Sequence, residues 1–193
     1  MVRLSKVVVI LVLITGCSNP FSSEEKIPLL PNIWFITQQG IGVMSEKPDT
    51  MIALLNINTD SLGILIDAGN RTVQTILRDS LGYQEQYLLS PDLRVLFAGL
   101  EYINQWHLES ERAKGVYIRV EKVAVTNLWW ELDAFDKFNG DNTKGFLYVS
   151  RWTLIHELVH YYQQRAGKEF SECEADMVRE YFFYGSSLNS GCP

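Results

Sequence analysis

Apolar residues fall most regularly near the C-terminus. Trp152, Ile155, Val159 and Tyr162 follow a 3-4-3 rhythm, which predicts an amphipathic helix with those side chains as its buried stripe. Ser150 is placed to cap its start and Gly167 to end it. A second helix is expected over residues 171–184, followed by a tail from Gly185. Upstream, residues 33–43, 51–57 and 63–68 are rich in β-branched and apolar side chains between turn formers and read as strands. Residues 72–79 and 92–111 have helical spacing, the latter with Pro91 just ahead of it. Residues 115–125 alternate through Val116, Ile118, Val120, Val123 and Val125 with one slip of register, which predicts a strand carrying a bulge. Residues 132–145 are polar and read as a loop, and 146–149 as a short strand. Strands first and helices last predict an α+β fold. The N-terminal strands and helices would form a small, mostly antiparallel sheet, and the last two helices an antiparallel pair.

The extreme N-terminus stands apart from this pattern. Arg3 and Lys6 precede an apolar run at 7–14, far shorter than the ~20 residues a membrane-spanning helix needs. Small residues then lead to Cys17. Leu13-Ile14-Thr15-Gly16-Cys17 resembles the lipobox of bacterial lipoproteins. That resemblance implies a signal peptide over 1–16, cleavage before Cys17, and lipid on its thiol and new amino terminus. Ser18 rather than Asp follows, which by the same resemblance implies outer-membrane sorting, facing the periplasm, in a Gram-negative source. Residues 17–31 carry Asn-Pro, Ser-Ser, Glu-Glu and two further prolines and read as the lipidated cysteine with its tether. Residues 32–193 then form one domain.

Removing residues 1–16 takes away Arg3 and Lys6 and no acid, so a net charge of −6 becomes −8. A chain this acidic is poorly matched to nucleic acid. With Cys17 lipidated, Cys173 and Cys192 remain, an even number in an oxidising compartment, and are expected to form a disulfide.

Candidate chemistry centres on His156-Glu157-Leu158-Val159-His160. Two of the chain's three histidines lie four residues apart, stacked on one helix face, where both can bind a single divalent cation. This H-E-x-x-H spacing is that of the zincins. It implies Zn2+ held by His156 and His160, with Glu157 as general base on a zinc-bound water. Downstream, Glu172-Cys173-Glu174-Ala175-Asp176 reads as Glu-x-x-Ala-Asp and resembles the gluzincins, zincins whose third ligand is glutamate. The resemblance covers residues 156–176. It implies Glu172 as third ligand and Asp176 as the carboxylate that orients a zinc-bound histidine. Glu172 follows His160 by only twelve residues, so the centre of the intervening turn decides whether Glu172, Asp176 or Glu180 faces the histidines.

Several neighbours have plainer roles. Ser171 to Glu174 spells a capping box, which makes Glu174 structural. Tyr161, Tyr162, Tyr181 and Tyr184 sit at spacing typical of core residues, and Arg179 is expected to pair with an acid. His107 lies among acids on a solvated face, Trp129-Trp130 read as core or anchor, and the acidic loop at 133–141 lacks EF-hand spacing. Asn70-Arg71-Thr72 is a formal glycosylation sequon. The expected activity is that of a membrane-anchored zinc peptidase acting on a peptide or protein substrate. Its specificity would come from the strand beside the active helix, read as 146–149. The alternative is a non-catalytic, zinc-containing envelope lipoprotein that serves binding or assembly.

Overall fold

A computed structural model describes residues 29–106, 115–127, 142–185, 188 and 192. Its elements run β1 (Phe35–Ile36), β2 (Gly42–Ser45), α1 (Pro48–Leu55), α2 (Thr59–Leu81), a 3-10 turn (Glu85–Tyr87), β3 (Arg94–Ala98), α3 (Leu100–Trp106), β4 (Gly115–Ile118), β5 (Val123–Asn127), α4 (Asn142–Arg165) and α5 (Glu172–Tyr184). The segments expected as signal peptide, lipidated Cys17 and most of the tether lie outside the described residues, as do His107, Trp129, Trp130 and residues 133–141. Among the described residues no helix is long and apolar enough to cross a membrane.

The fold is α+β, with one five-stranded sheet in the order β1-β2-β3-β5-β4. The sheet is mixed rather than mostly antiparallel. β2 and β5 flank β3 in parallel, while β1 on β2 and β4 on β5 are antiparallel edges. Both faces of its centre are covered. Val43, Val95, Phe97 and Ala124 meet the helical core of α1, α2, α4 and α5. Met44, Leu96, Ala98, Val123 and Val125 meet Tyr102 and Ile103 of α3.

This two-sided burial explains the segments that differ from expectation. Within the stretch expected as one helix over 92–111, the described residues form β3 and then α3, and 107–111 lie outside the described residues. Strands buried on both faces read as continuous apolar runs and lose their period of two. Residues 51–57 fall mostly in α1, which has Pro at its first turn and Asn56 in the left-handed conformation at its end. Residues 63–68 and 72–79 belong to one helix, α2, capped by Asn58, whose side chain accepts from Ser61 N at 2.8 Å. Its buried face includes Asp67 and Asn70, and these polar residues interrupt the apolar stripe. Asn70 is fully buried, accepts from Tyr162 Oη at 2.6 Å, and is closed to glycosylation. The slip in 115–125 is the turn between β4 and β5, with Lys122 at positive φ, rather than a bulge. Residues 142–149, expected as loop and strand, are the first turns of α4, so Ser150 lies inside the helix.

Helix α4 is buried far beyond the expected stripe. Leu154, Ile155, Leu158, Val159, Tyr161 and Tyr162 all belong to the core. Trp152 sits at its margin, its ring 5.0 Å from Phe183 and 5.6 Å from Tyr184. The helix ends in a Schellman turn: Gly167 has φ 66°, Gly167 N–H donates to Gln164 O and Lys168 N–H to Gln163 O. The chain then turns into α5, which packs on α4 and is capped by Ser171. Cys173 and Cys192 are joined by a disulfide, Cα to Cα 5.7 Å.

Candidate metal centre

One helical turn separates His156 from His160, and their Nε2 atoms lie 3.1 Å apart. Glu172, the first residue of α5, reaches both: Oε2 is 2.9 Å from His156 Nε2 and Oε1 is 3.3 Å from His160 Nε2. These three residues form a group that could hold a metal ion, with ligand atoms within 4.8 Å of one another. The other two candidates for the third position are placed differently. Asp176 Oδ1 lies behind His156, 2.9 Å from its Nδ1. Glu180 is solvent-exposed and outside the group. The pairs His160–Glu172 and His156–Asp176 share Ala166 as their midpoint, the tighter of the turn placements the spacing allowed. The Schellman closure at Gly167 makes so tight a reversal feasible.

The capping box forms by half. Ser171 Oγ accepts from Glu174 N–H at 3.2 Å. Glu174 does not return the bond to Ser171 N–H, which donates instead to Gln163 Oε1 at 3.2 Å. The Glu174 carboxylate accepts from the Tyr83 hydroxyl and pairs with Lys168 at 3.5 Å. It is structural, as its place in the box implied.

The histidine rings are held from behind. Nδ1 of His156 faces the Asp176 carboxylate, and Arg179 pairs with the same Oδ1 at 2.9 Å while its guanidinium lies over Trp152. Nδ1 of His160 faces Gln163 Oε1 at 2.8 Å, and its ring stacks on Phe170 with centroids 5.0 Å apart. Gln163 Oε1 is an acceptor, so Nδ1 of His160 carries the proton and its Nε2 presents a lone pair, whereas Nδ1 of His156 lies within ion-pair distance of Asp176 without a hydrogen bond. Two imidazole nitrogens and a carboxylate converge there, a set of atoms that could hold a metal ion. Burial, and next the neighbouring His160, lower the proton affinity of His156, which keeps it in the neutral form that binds metal.

Glu157 is buried beside this group. Burial first, and repulsion from Glu172 second, raise its pKa well above the ordinary carboxylate value, while Arg179 opposes them. The tyrosines take no part in the group. Tyr161 donates to Asp92 at 2.7 Å and Tyr162 to Asn70, both from full burial. Tyr181 and Tyr184 are exposed on α5.

Two features of the site were not anticipated: Gln163 and Gly115. Gln163 lies three residues past His160, on the same helix face, a spacing visible in the sequence. Gly115 opens β4, the sheet edge that packs on α4 and not the 146–149 segment expected there. A Cβ at Gly115 would lie 2.1 Å from Thr153 Cγ2, 2.7 Å from Val125 O and 3.0 Å from Glu157 Oε1. Backbone and helix meet there with room for hydrogen only. Gly115→Ala is therefore expected to displace β4 from α4 and destabilise by about 1–3 kcal/mol, read as a lowered urea midpoint; an unchanged midpoint would refute the close approach.

Comparison with known proteins returned no matching family model, no matching curated protein and no matching solved structure.

Proposed function

We propose that the protein is a zinc-dependent metallohydrolase, a peptidase anchored to the bacterial cell envelope by lipid on Cys17. The observation that carries the reading is the convergence of His156 Nε2, His160 Nε2 and the Glu172 carboxylate beside buried Glu157. Imidazole nitrogen and carboxylate oxygen are donors that zinc takes readily. The ligand atoms of the three residues lie within 4.8 Å of one another, close enough for one divalent cation to be held between them. Three protein ligands leave a fourth position, the pattern of catalytic rather than structural zinc.

Zinc, when bound, supplies Lewis-acid activation of water and of a substrate carbonyl. The remaining work falls to the chain. Glu157 takes the proton of the attacking water and returns it to the leaving amine, a role suited to a carboxylate with raised proton affinity. A divalent charge held by the neighbouring residues would oppose the effect of burial on that affinity. Asp176, itself fixed by Arg179, orients His156. Among the described residues β4 is an outer strand of the sheet, and it passes directly beside Glu157.

The test is metal removal and replacement. Chelator-treated protein is expected to lose hydrolysis of a mixed peptide library and to regain it with stoichiometric zinc. At zinc a thousand times the dissociation constant, stability should rise by about 4 kcal/mol. Zinc bound with no hydrolysis of peptide or peptidoglycan substrates would replace the enzyme reading with that of a non-catalytic zinc-containing lipoprotein. No zinc bound would overturn both.

A further inference from the structure

We propose that Gln163 is a positioning residue that fixes His160 in its metal-binding tautomer and ties it to the turn that delivers Glu172. The inference rests on the metal reading above for its purpose, but not for its geometry.

Gln163 is fully buried. Its carboxamide has two accepting and two donating positions, and all four are used. Oε1 accepts from Ser171 N–H at 3.2 Å and faces His160 Nδ1 at 2.8 Å. Nε2 donates to Ser171 O at 3.1 Å and to Glu174 Oε1 at 3.2 Å. Its backbone carbonyl closes the Schellman turn by accepting from Lys168 N–H at 2.9 Å. One residue therefore binds the turn at Lys168, Ser171 and Glu174.

The orientation of this amide is dictated by its partners. Ser171 N–H can only donate and Ser171 O can only accept. A flipped carboxamide would set donor against donor and acceptor against acceptor at full burial, where each unpaired group costs about 1–3 kcal/mol. Oε1 must therefore face Ser171 N–H, and the same oxygen faces His160. An amide oxygen only accepts, so His160 carries its proton on Nδ1, and Nε2 is left to bind the cation. The backbone of the residue preceding Glu172 thus selects the tautomer of His160 through a single side chain.

The same contacts answer the short spacing between His160 and Glu172. The Glu172 side chain is 75% exposed. Its position is inherited from Ser171, the helix cap one residue earlier, and Ser171 is held by Gln163 at both its N–H and its C=O. Gln163 also takes the N–H that a complete capping box would assign to Glu174. Loss of the carboxamide should therefore loosen two ligands at once.

The experiment has two arms. In metal-free wild-type protein, nitrogen-15 NMR of the histidine rings is expected to show His160 protonated at Nδ1. Protonation at Nε2 overturns the proposal, and this arm requires neither a variant nor any zinc binding. In the second arm, Gln163→Met keeps the side-chain length and removes every polar contact. Competition with a chromogenic chelator, under conditions where both proteins are folded, should show zinc affinity reduced about 10- to 100-fold, the range typical for groups that orient a ligand. A purely structural Gln163 predicts a lower thermal midpoint with unchanged affinity, and that result also overturns the proposal. If wild type binds no zinc, the metal reading fails while the tautomer measurement still decides the role of Gln163.

Discussion

Glu157→Gln is expected to lower hydrolysis by about 100- to 10,000-fold while zinc stays bound, since positioned general acid–base groups contribute on that scale. The glutamine is the same size, so the neighbouring ligands are undisturbed, but it can neither take up nor return a proton. The same change should make the metal-free protein more stable. Glu157 is buried, and burial raises its folded pKa above the unfolded value. Such a group stabilises fully only below its unfolded pKa near 4.3. Between the unfolded and folded pKa values the unfolded state binds fewer protons than the native state, so stability falls as pH rises through that window. The variant lacks this fall. Its advantage in thermal midpoint should be absent near pH 4, grow as pH increases, and level off above the folded pKa. Equal midpoints at all pH values would show that Glu157 is solvated and unsuited to the role. Loss of zinc in the variant would instead make the glutamate a ligand.

The second large effect concerns the disulfide. Reducing Cys173–Cys192, or replacing both cysteines by serine, opens a loop with a sequence separation of 19. The chain entropy released in the unfolded state is worth about 3 kcal/mol. At about 2–4 °C per kcal/mol for a domain of this size, the metal-free midpoint should drop by roughly 6–12 °C. The bond also anchors the first turn of α5 one residue beyond Glu172. Zinc affinity should therefore weaken on reduction, because the exposed Glu172 side chain depends on that turn for its place. Differential scanning fluorimetry with and without reductant, followed by zinc competition on the same samples, measures both. An unchanged midpoint would mean that the tail beyond Gly185 adds nothing to the fold.

How much of this was legible varied with local chemistry. The α4–α5 pair could be read because its signals are local: Gly167 and Gly185 at helix ends, Ser171 at a cap, and histidines four apart. The strands were harder. Residues 94–98 lie at the centre of a sheet covered on both faces and carry no alternation. α2 hid behind Asp67 and Asn70, polar residues on its buried side whose partners, Gln39 and Tyr162, lie far along the chain. Nothing near either position announces those partners.

By itself the sequence determined the candidate ligand face. Helical geometry alone brings His156 over His160 and sets Glu157 next to them, whatever surrounds the helix. It also determined that Cys173 and Cys192 could pair. Only the tertiary structure decided which of Glu172, Asp176 and Glu180 reaches the Nε2 atoms of both histidines, because that depends on the depth of one turn. It assigned Asp176 to the back of His156 and Gln163 to the back of His160. It also brought the edge strand at Gly115 against Glu157, across more than forty residues of chain. The physical reason is common to all of these. Spacing along a helix is fixed by backbone hydrogen bonds within a few residues, whereas the meeting of two elements is fixed by packing, caps and buried amides contributed by segments that the local pattern does not connect.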